Sequence, residues 1–232
     1  YNSKNGYAYS LDDPSTYKVT AYSFKNGTHV MFSHFGTMHS FSSNMMGIFN
    51  VYNLMAAVAA VHITTNKPLD EICEALDGFA GVSGRMETIS SNPLIIVDFA
   101  HTPDGMKEVL KSFNDRDIIC VFGAGGDRDK AKRPLMGSVA ASYSKHIIVT
   151  SDNPRFEDPD LIIEDILKGI KNHTSVQVEI NRKEAIKKAI SMADENSVIL
   201  ILGKGDESTQ TIYDKKFPFS DKEEVLKILN KE

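Results

Sequence analysis

The sequence predicts an α/β fold whose larger, C-terminal part is a mostly parallel sheet covered by helices. Three observations predict it. Short apolar runs recur at 94–99, 118–122, 146–150, 176–180 and 198–202. Helix-like segments separate them at 105–113, 133–143, 161–171 and 183–193. The runs are continuous rather than alternating, the pattern of strands buried on both faces between crossover helices.

The elements follow in order. Residues 1 to about 47 read as antiparallel strands. Segment 17–24 is rich in aromatic and β-branched residues, and 29–35 is its return strand. Between them Asn26-Gly27 supplies a two-residue hairpin turn, because both positions tolerate positive φ. Segment 48–63 is Ala-rich and apolar on more than one face, which predicts a deeply buried helix. Pro68 fits a helix start, and 69–76 reads as the helix. Gly78, Gly81 and Gly84 cluster before Arg85, which reads as a hinge or a domain boundary. Past the last apolar run, 211–219 reads as an antiparallel edge piece around a turn. The closing helix is 221–229, with Ser220 as its N-cap.

Composition narrows the function classes. The 232 residues are 41% hydrophobic and 25% charged, enough for a real core in a globular chain. The net charge of −5 and the lack of a basic stripe argue against nucleic acid as partner. Cys73 and Cys120 are expected to be buried, reduced thiols. No apolar run approaches the ~20 residues of a membrane span, and no signal peptide is evident. The chain opens at Tyr1 without methionine, so it is expected to be a piece of a longer protein.

In open parallel sheets, ligands sit beyond the carboxyl ends of the strands. Those positions hold Asp98-Phe-Ala-His101-Thr-Pro-Asp104, Gly123-Ala-Gly-Gly-Asp-Arg128-Asp-Lys130, Ser151-Asp-Asn-Pro-Arg155 and Gly203-Lys-Gly-Asp-Glu207. After the fourth run, Asn181-Arg182-Lys183 could simply cap a helix. The loop 123–130 reads as a phosphate cradle: glycines let backbone N–H groups approach, and Arg128, Lys130, Lys132 and Arg133 add charge. A tight turn with solvated charges is the alternative. No Walker A pattern occurs anywhere in the chain, and Gly203-Lys204-Gly205 resembles one only superficially. Asp152-Asn153-Pro154-Arg155 offers a carboxylate and amide for an ammonium and a guanidinium for a carboxylate, the two groups of a zwitterionic amino acid. A plain Asn-Pro turn is the competing reading. Asp98 and His101 are candidates for nucleotide or phosphate contact, or for structural hydrogen bonds. Asp104 is expected at the N-terminus of the next helix. Asn50 and Asn53, spaced i, i+3, share a helix face and need partners, either backbone or an adenine edge. The remaining histidines, His29, His34, His39, His62, His146 and His173, form no metal-spaced cluster, so no metal ligand is assigned.

Taken together, these motifs resemble the Mur ligase family. Gly47-Ile-Phe-Asn50-Val-Tyr-Asn53 resembles the family's Asn-rich helix start, and Gly84-Arg85-Met86-Glu87 its hinge motif. The loops at 98–104, 122–136 and 152–155 follow in the family's order, and the resemblance covers about Gly47 to Leu229. The Asp-Asn-Pro-Arg form resembles the branch that selects meso-diaminopimelate over lysine. The resemblance implies a Rossmann-like C-terminal domain, 84–232, preceded at 1–83 by the last part of a P-loop-type central ATP-binding domain. It implies an ATP- and Mg²⁺-dependent amide ligase of peptidoglycan synthesis, acting on UDP-N-acetylmuramoyl-L-alanyl-D-glutamate through an acyl phosphate. Asn50, Asn53, Arg85, Asp98 and His101 would then lie near ATP. Arg128, Asp152, Asn153, Pro154, Arg155, Gly203 and Glu207 would form the diaminopimelate pocket. The family's P-loop and catalytic lysine would lie upstream of Tyr1, so no catalytic residue is assigned here and this chain alone is expected to be inactive. A monomeric, cytoplasmic bacterial protein with no membrane partner is implied. One departure stands out: the family reads Gly-Lys-Gly-His-Glu where this chain has Asp206 in place of the histidine. A lysine-adding ligase and a folylpolyglutamate synthase-like ligase are the alternatives within enzymes. A simple amino-acid or nucleotide binding module is the alternative outside them.

Overall fold

In a computed structural model of the chain, residues 6–24, 27–77, 79, 81–171 and 175–230 are described. The chain divides into two compact units, Tyr1–Gly81 and Val82–Glu232.

In the first unit, strands β1 (Tyr9–Ser10), β2 (Tyr17–Ser23), β3 (Thr28–His34) and β4 (Thr37–Ser43) form a sheet in that order. β2, β3 and β4 run antiparallel, while β1 joins β2 in parallel. The expected hairpin is present, but Asn26 of its turn and Gly78 of the expected hinge lie outside the described residues. Side chains alternate across the sheet: Val30 and Phe32 are buried, and Met31 between them is exposed. Helices α1 (Ile48–Thr65) and α2 (Leu69–Asp77) follow. The stripe Val51, Leu54, Met55, Val58 and Ala59 of α1 packs with Tyr17, Val19 and Phe41 into one core. The expectation of deep burial on several faces is corrected here. Ile48, Tyr52, Val61 and Ile63 of the same helix are exposed, so only one stripe is covered. The expectation about apolar runs is corrected as well. With 18 residues and a mean hydropathy of 1.4, α1 is long and apolar enough to cross a membrane by those criteria alone, although its stripe lies in a core.

In the second unit, β5 (Glu87–Ser91) and β6 (Leu94–Asp98) precede an alternating series. That series is α3 (Pro103–Lys111), β7 (Asp117–Phe122), α4 (Lys132–Tyr143), β8 (His146–Val149), α5 (Pro159–Leu167), β9 (Val176–Val178), α6 (Arg182–Met192) and β10 (Ser197–Leu202). Among the described residues they build a six-stranded sheet of order β5-β6-β10-β7-β8-β9. β6 through β9 run parallel, as the apolar runs predict, and β5 is an antiparallel edge. Nothing in the pattern anticipates β5. It is half-buried, has a register shift between Thr88 and Ser90, and so lacks an apolar run. β10 is buried along its whole length, as a central parallel strand must be.

Side chains cap the helices where orphan N–H groups need acceptors. Thr102 accepts from Gly105, Asn181 from Lys183 and Glu184, and Ser220 from Glu223. Asp104 lies in the first turn of α3 behind the Thr102 cap. After β10, strands β11 (Thr209–Ile212) and β12 (Lys215–Pro218) precede α7 (Asp221–Leu229). They form a separate two-stranded sheet, not an edge of the large one. β11 pairs along its length with β12, and its link toward the β8 loop is an isolated bridge between Ile212 and Arg155.

Candidate functional site

A cleft of about 440 Å³ opens in the second unit beyond the carboxyl ends of β6, β10, β7 and β8. The strand order decides what meets there. β10, last of the parallel strands in sequence, sits between β6 and β7, so the loop at 203–207 faces the loops at 123–130 and 150–155. Arg128, Asp152, Asn153, Arg155, Gly203 and Glu207 all line this cleft, and so does His101.

Three close approaches bring the loops together. A Cβ on Gly126 would lie 1.9 Å from the Pro154 carbonyl oxygen, and one on Gly123 would lie 2.2 Å from that of Thr150. The glycines of the 123–130 loop thus let it pack on the neighbouring loop. At Gly203, where φ is 116°, a Cβ would fall 2.8 Å from Asp152 Oδ2. Pro154 belongs to this packing and does not line the cleft.

The charges of the 123–133 segment divide. Arg133 is buried; it donates to both oxygens of Glu157 (2.8 and 3.0 Å), to Asp165 (3.1 Å) and to the Gly125 carbonyl (3.3 Å). Lys130 also pairs with Glu157, at 3.0 Å. The Arg133 guanidinium, helped by Lys130, holds the Glu157 carboxyl down to about 2. Reading Arg133 and Lys130 as phosphate-cradle charges is therefore corrected: carboxylates within the fold neutralise them. Arg128 and Lys132 line the cleft and have no ion-pair partner among the described residues.

Arg155 has φ of 51° and is clamped through its backbone. Its N–H donates to Thr211 O at 3.1 Å, and its carbonyl accepts from Tyr213 at 2.7 Å. Its Nη1 donates to the Gly126 carbonyl at 2.7 Å. Asp152 is buried, and its carbonyl accepts from Gln210 Nε2 at 2.6 Å.

Beside them lies a residue the sequence reading passes over. Lys204 is fully buried between two glycines of positive φ, Gly203 and Gly205. Its Nζ donates to Glu207 Oε2 (2.9 Å), Thr209 O (2.8 Å) and Asn153 Oδ1 (3.2 Å). Asn153 Nδ2 in turn donates to Glu207 Oε2 at 2.9 Å. Burial alone would raise the Glu207 carboxyl, but bonds from Lys204 and Asn153 and the charges of Lys204 and Arg155 leave it below its ordinary value. The signal was available: a lysine flanked by glycines needs a use once the Walker reading fails.

The expected nucleotide residues are placed differently. Arg85 lies over the Phe99 ring at 4.3 Å, and Phe99 meets His101 edge-on at 4.7 Å. His101 Nδ1–H donates to the Phe99 carbonyl at 2.8 Å, which leaves Nε2 as an acceptor. The Asp98 carboxylate accepts backbone N–H bonds from Met86 (2.8 Å) and Ala100 (2.7 Å). Burial raises its carboxyl in spite of them. Neither Arg85 nor Asp98 lines the cleft. Asn50 and Asn53 belong to the first unit, where Asn50 donates to Met46 O (2.7 Å) and Asn53 to Asn50 Oδ1 (3.1 Å). Among the described residues no group of three or more His, Cys, Asp or Glu side chains is arranged to hold a metal ion.

Comparison with known proteins adds to this geometry. The family described as "Mur ligase, glutamate ligase domain" matches residues 84–205. A Wolinella succinogenes protein named UDP-N-acetylmuramoyl-L-alanyl-D-glutamate–2,6-diaminopimelate ligase is 48% identical over 229 residues, covering 99% of this chain and 53% of that protein. A Helicobacter pylori protein of the same name is 44% identical, covering 97% and 52%. The chain spans about half the length of the curated relatives it matches. A solved structure bearing that ligase name superposes with a TM-score of 0.70 at 33% identity, covering 97% of this chain and 47% of the other. Mycobacterium tuberculosis folylpolyglutamate synthase, complexed with ADP and AMPPCP, superposes at 0.67 with 20% identity, covering 82% and 45%, a likeness of fold alone.

Proposed function

This chain belongs to the Mur ligase family, and on that premise we propose that it supplies the amino-acid pocket of an ATP-dependent ligase. The proposed ligase joins meso-diaminopimelate to UDP-N-acetylmuramoyl-L-alanyl-D-glutamate in peptidoglycan synthesis. Residues 84–232 are the amino-acid domain on this reading, and 1–83 the last part of the ATP-binding domain. One observation carries the reading: the Arg155 guanidinium and the Glu207 carboxylate line one cleft. A diamino diacid has a distal amino-acid head with one carboxylate and one ammonium. Arg155 engages Gly126 through Nη1, and the rest of its fork is directed to that carboxylate, with Arg128 alongside. Glu207 accepts the ammonium. Lysine has no distal carboxylate, so it would leave Arg155 and Arg128 unpaired, which is the basis of selectivity.

Held this way, the second amine projects out of the cleft toward the substrate carboxylate. In the proposed reaction the D-glutamate γ-carboxylate is activated as an acyl phosphate with ATP as phosphoryl donor. The amine then attacks it, and phosphate leaves from the tetrahedral intermediate. The chain's own contribution is positioning, which turns a two-body encounter into an oriented one. Arg85, stacked on Phe99, and the Nε2 acceptor of His101 are the residues of the second unit that fit a nucleotide. Mg²⁺ on this reading is held chiefly by nucleotide phosphates and water, as this ion often is, and offsets their charge. The reaction would take place in the cytoplasm, with the protein acting as a monomer.

The test is phosphate release by the whole ligase with meso-diaminopimelate or lysine as acceptor. Release is expected with the first and at least about 10-fold less with lysine, the size of one lost charge-assisted contact. Equal use of lysine would overturn the assignment. The 232-residue chain alone, which contains no Walker A pattern, is expected to bind the amino acid without turnover.

A further inference from the structure

The Lys204 ammonium has no contact with solvent, and such a charge is tolerated only when acceptors surround it. All three of its acceptors are accounted for, and two of them belong to the side chains that line the cleft. The orientation of Asn153 follows without ambiguity. The Thr211 N–H can only donate, and it reaches Asn153 Oδ1 at 2.8 Å, so this atom is the amide oxygen. Lys204 adds a second donor to the same oxygen. The amide nitrogen is thereby turned toward Glu207, where it and Lys204 both donate to Oε2. Oε1 has no hydrogen-bond partner among the described residues, and the Glu207 side chain is 38% exposed while that of Lys204 is sealed.

We propose that Lys204 is the positioning residue of the amino-acid pocket: it orients Asn153 and Glu207 together, so that one carboxylate oxygen, Glu207 Oε1, is presented to the ammonium of the incoming amino acid. This rests on the functional reading above. Lys204 touches no substrate atom and acts through its two partners. Without it, Asn153 Oδ1 keeps only the Thr211 bond, and Glu207 Oε2 keeps only the Asn153 Nδ2 donor, so both side chains are held by one bond where there were two. Binding of the amino acid then has to include the ordering that Lys204 supplies in advance.

The experiment uses the whole ligase and the variant Lys204→Met, which keeps an unbranched chain of nearly the same length and removes its charge. The KM values for meso-diaminopimelate, ATP and the UDP-linked substrate are measured with kcat and the melting temperature. The expected result is a rise of about tenfold or more in KM for meso-diaminopimelate, with the other two KM values within about twofold. A lysine with only a structural role would lower the melting temperature without this selective change. An unchanged KM for meso-diaminopimelate in folded Lys204→Met overturns the proposal. Where the variant does not fold, ¹⁵N-lysine-labelled wild-type protein replaces it. One slowly exchanging ammonium signal is expected, shifting when meso-diaminopimelate is added; a signal that stays put overturns the proposal. Wild-type turnover that ignores meso-diaminopimelate defeats the functional reading instead. Lys204 is then judged by the same KM selectivity toward whichever amino acid the wild type does use.

Discussion

Two buried cations stand at the end of β10 and do different work. Arg182 bonds the carbonyl of Leu202, the last residue of the strand, and forms a double ion pair with Asp221 at 2.7 and 2.8 Å. Two residues beyond the strand, Lys204 holds Glu207. In the first pair both side chains are fully buried; in the second the lysine is buried and the carboxylate is partly open to the cleft. The chemistry is the same, and enclosure decides the role. A sealed pair joins α6 to α7 and can only stabilise. A pair with one open oxygen stabilises and, on the proposed reading, recognises as well.

The comparison can be broken in four ways. Arg182→Met should cost the most stability, about 3–5 kcal/mol, because it strands the Asp221 carboxylate in a dry site. Urea unfolding measures it, and a loss under about 1 kcal/mol would mean the pair is not the scaffold element described. Next is Arg155→Ala, expected to take about 1.5–3 kcal/mol from kcat/KM for meso-diaminopimelate in the whole ligase. Its effect on the melting temperature should be small, since the Arg155 backbone bonds to Thr211 and Tyr213 survive. Unchanged kinetics would remove Arg155 from the pocket. Third, Ser220→Ala deletes the cap of the helix that carries Asp221, for about 1 kcal/mol of stability and no change in amino-acid affinity. A shift in affinity would mean the sealed pair and the open one are coupled.

The last is a pH effect on an intermediate case, Arg133–Glu157, in which the carboxylate is slightly exposed. The Glu157 carboxyl is lowered in the fold from 4.5 to about 2. Its contribution is therefore complete above about pH 4.5 and lost as pH falls toward 2. Acid titration of the melting temperature should show this loss, and Glu157→Gln should remove that part of the slope. An identical slope in the variant would place the acid sensitivity elsewhere.

Much of the second unit could be read from the chain because its strands are buried on both faces. Runs such as Ile118–Phe122 need no partner to announce themselves. The half-buried edge β5 has no such run and passed unseen. In the first unit, the sequence of α1 is apolar on more than one face, yet only the stripe from Val51 to Ala59 is covered, since composition does not say how many neighbours a helix has. The site divides the same way. Arg155 and Glu207 are candidates from their side-chain chemistry, whereas in the sequence Lys204 shows only a superficial likeness to a phosphate motif. Arg133 reads as a charge for a ligand in the sequence because its partners, Glu157 and Asp165, are 24 and 32 residues away.

The sequence by itself determined the alternation of strands and helices, the caps at Asn181 and Ser220, and the polar loops at one end of each strand. These follow from local periodicity and from the obligations of backbone groups, which need only neighbours in the chain. Only the tertiary structure decided that β10 enters between β6 and β7. That placement brings residues 203–207 against residues 152–155 and buries the Lys204 ammonium between them. Which charges face a ligand and which are consumed by the fold depends on contacts across tens of residues, and strand order sets those contacts.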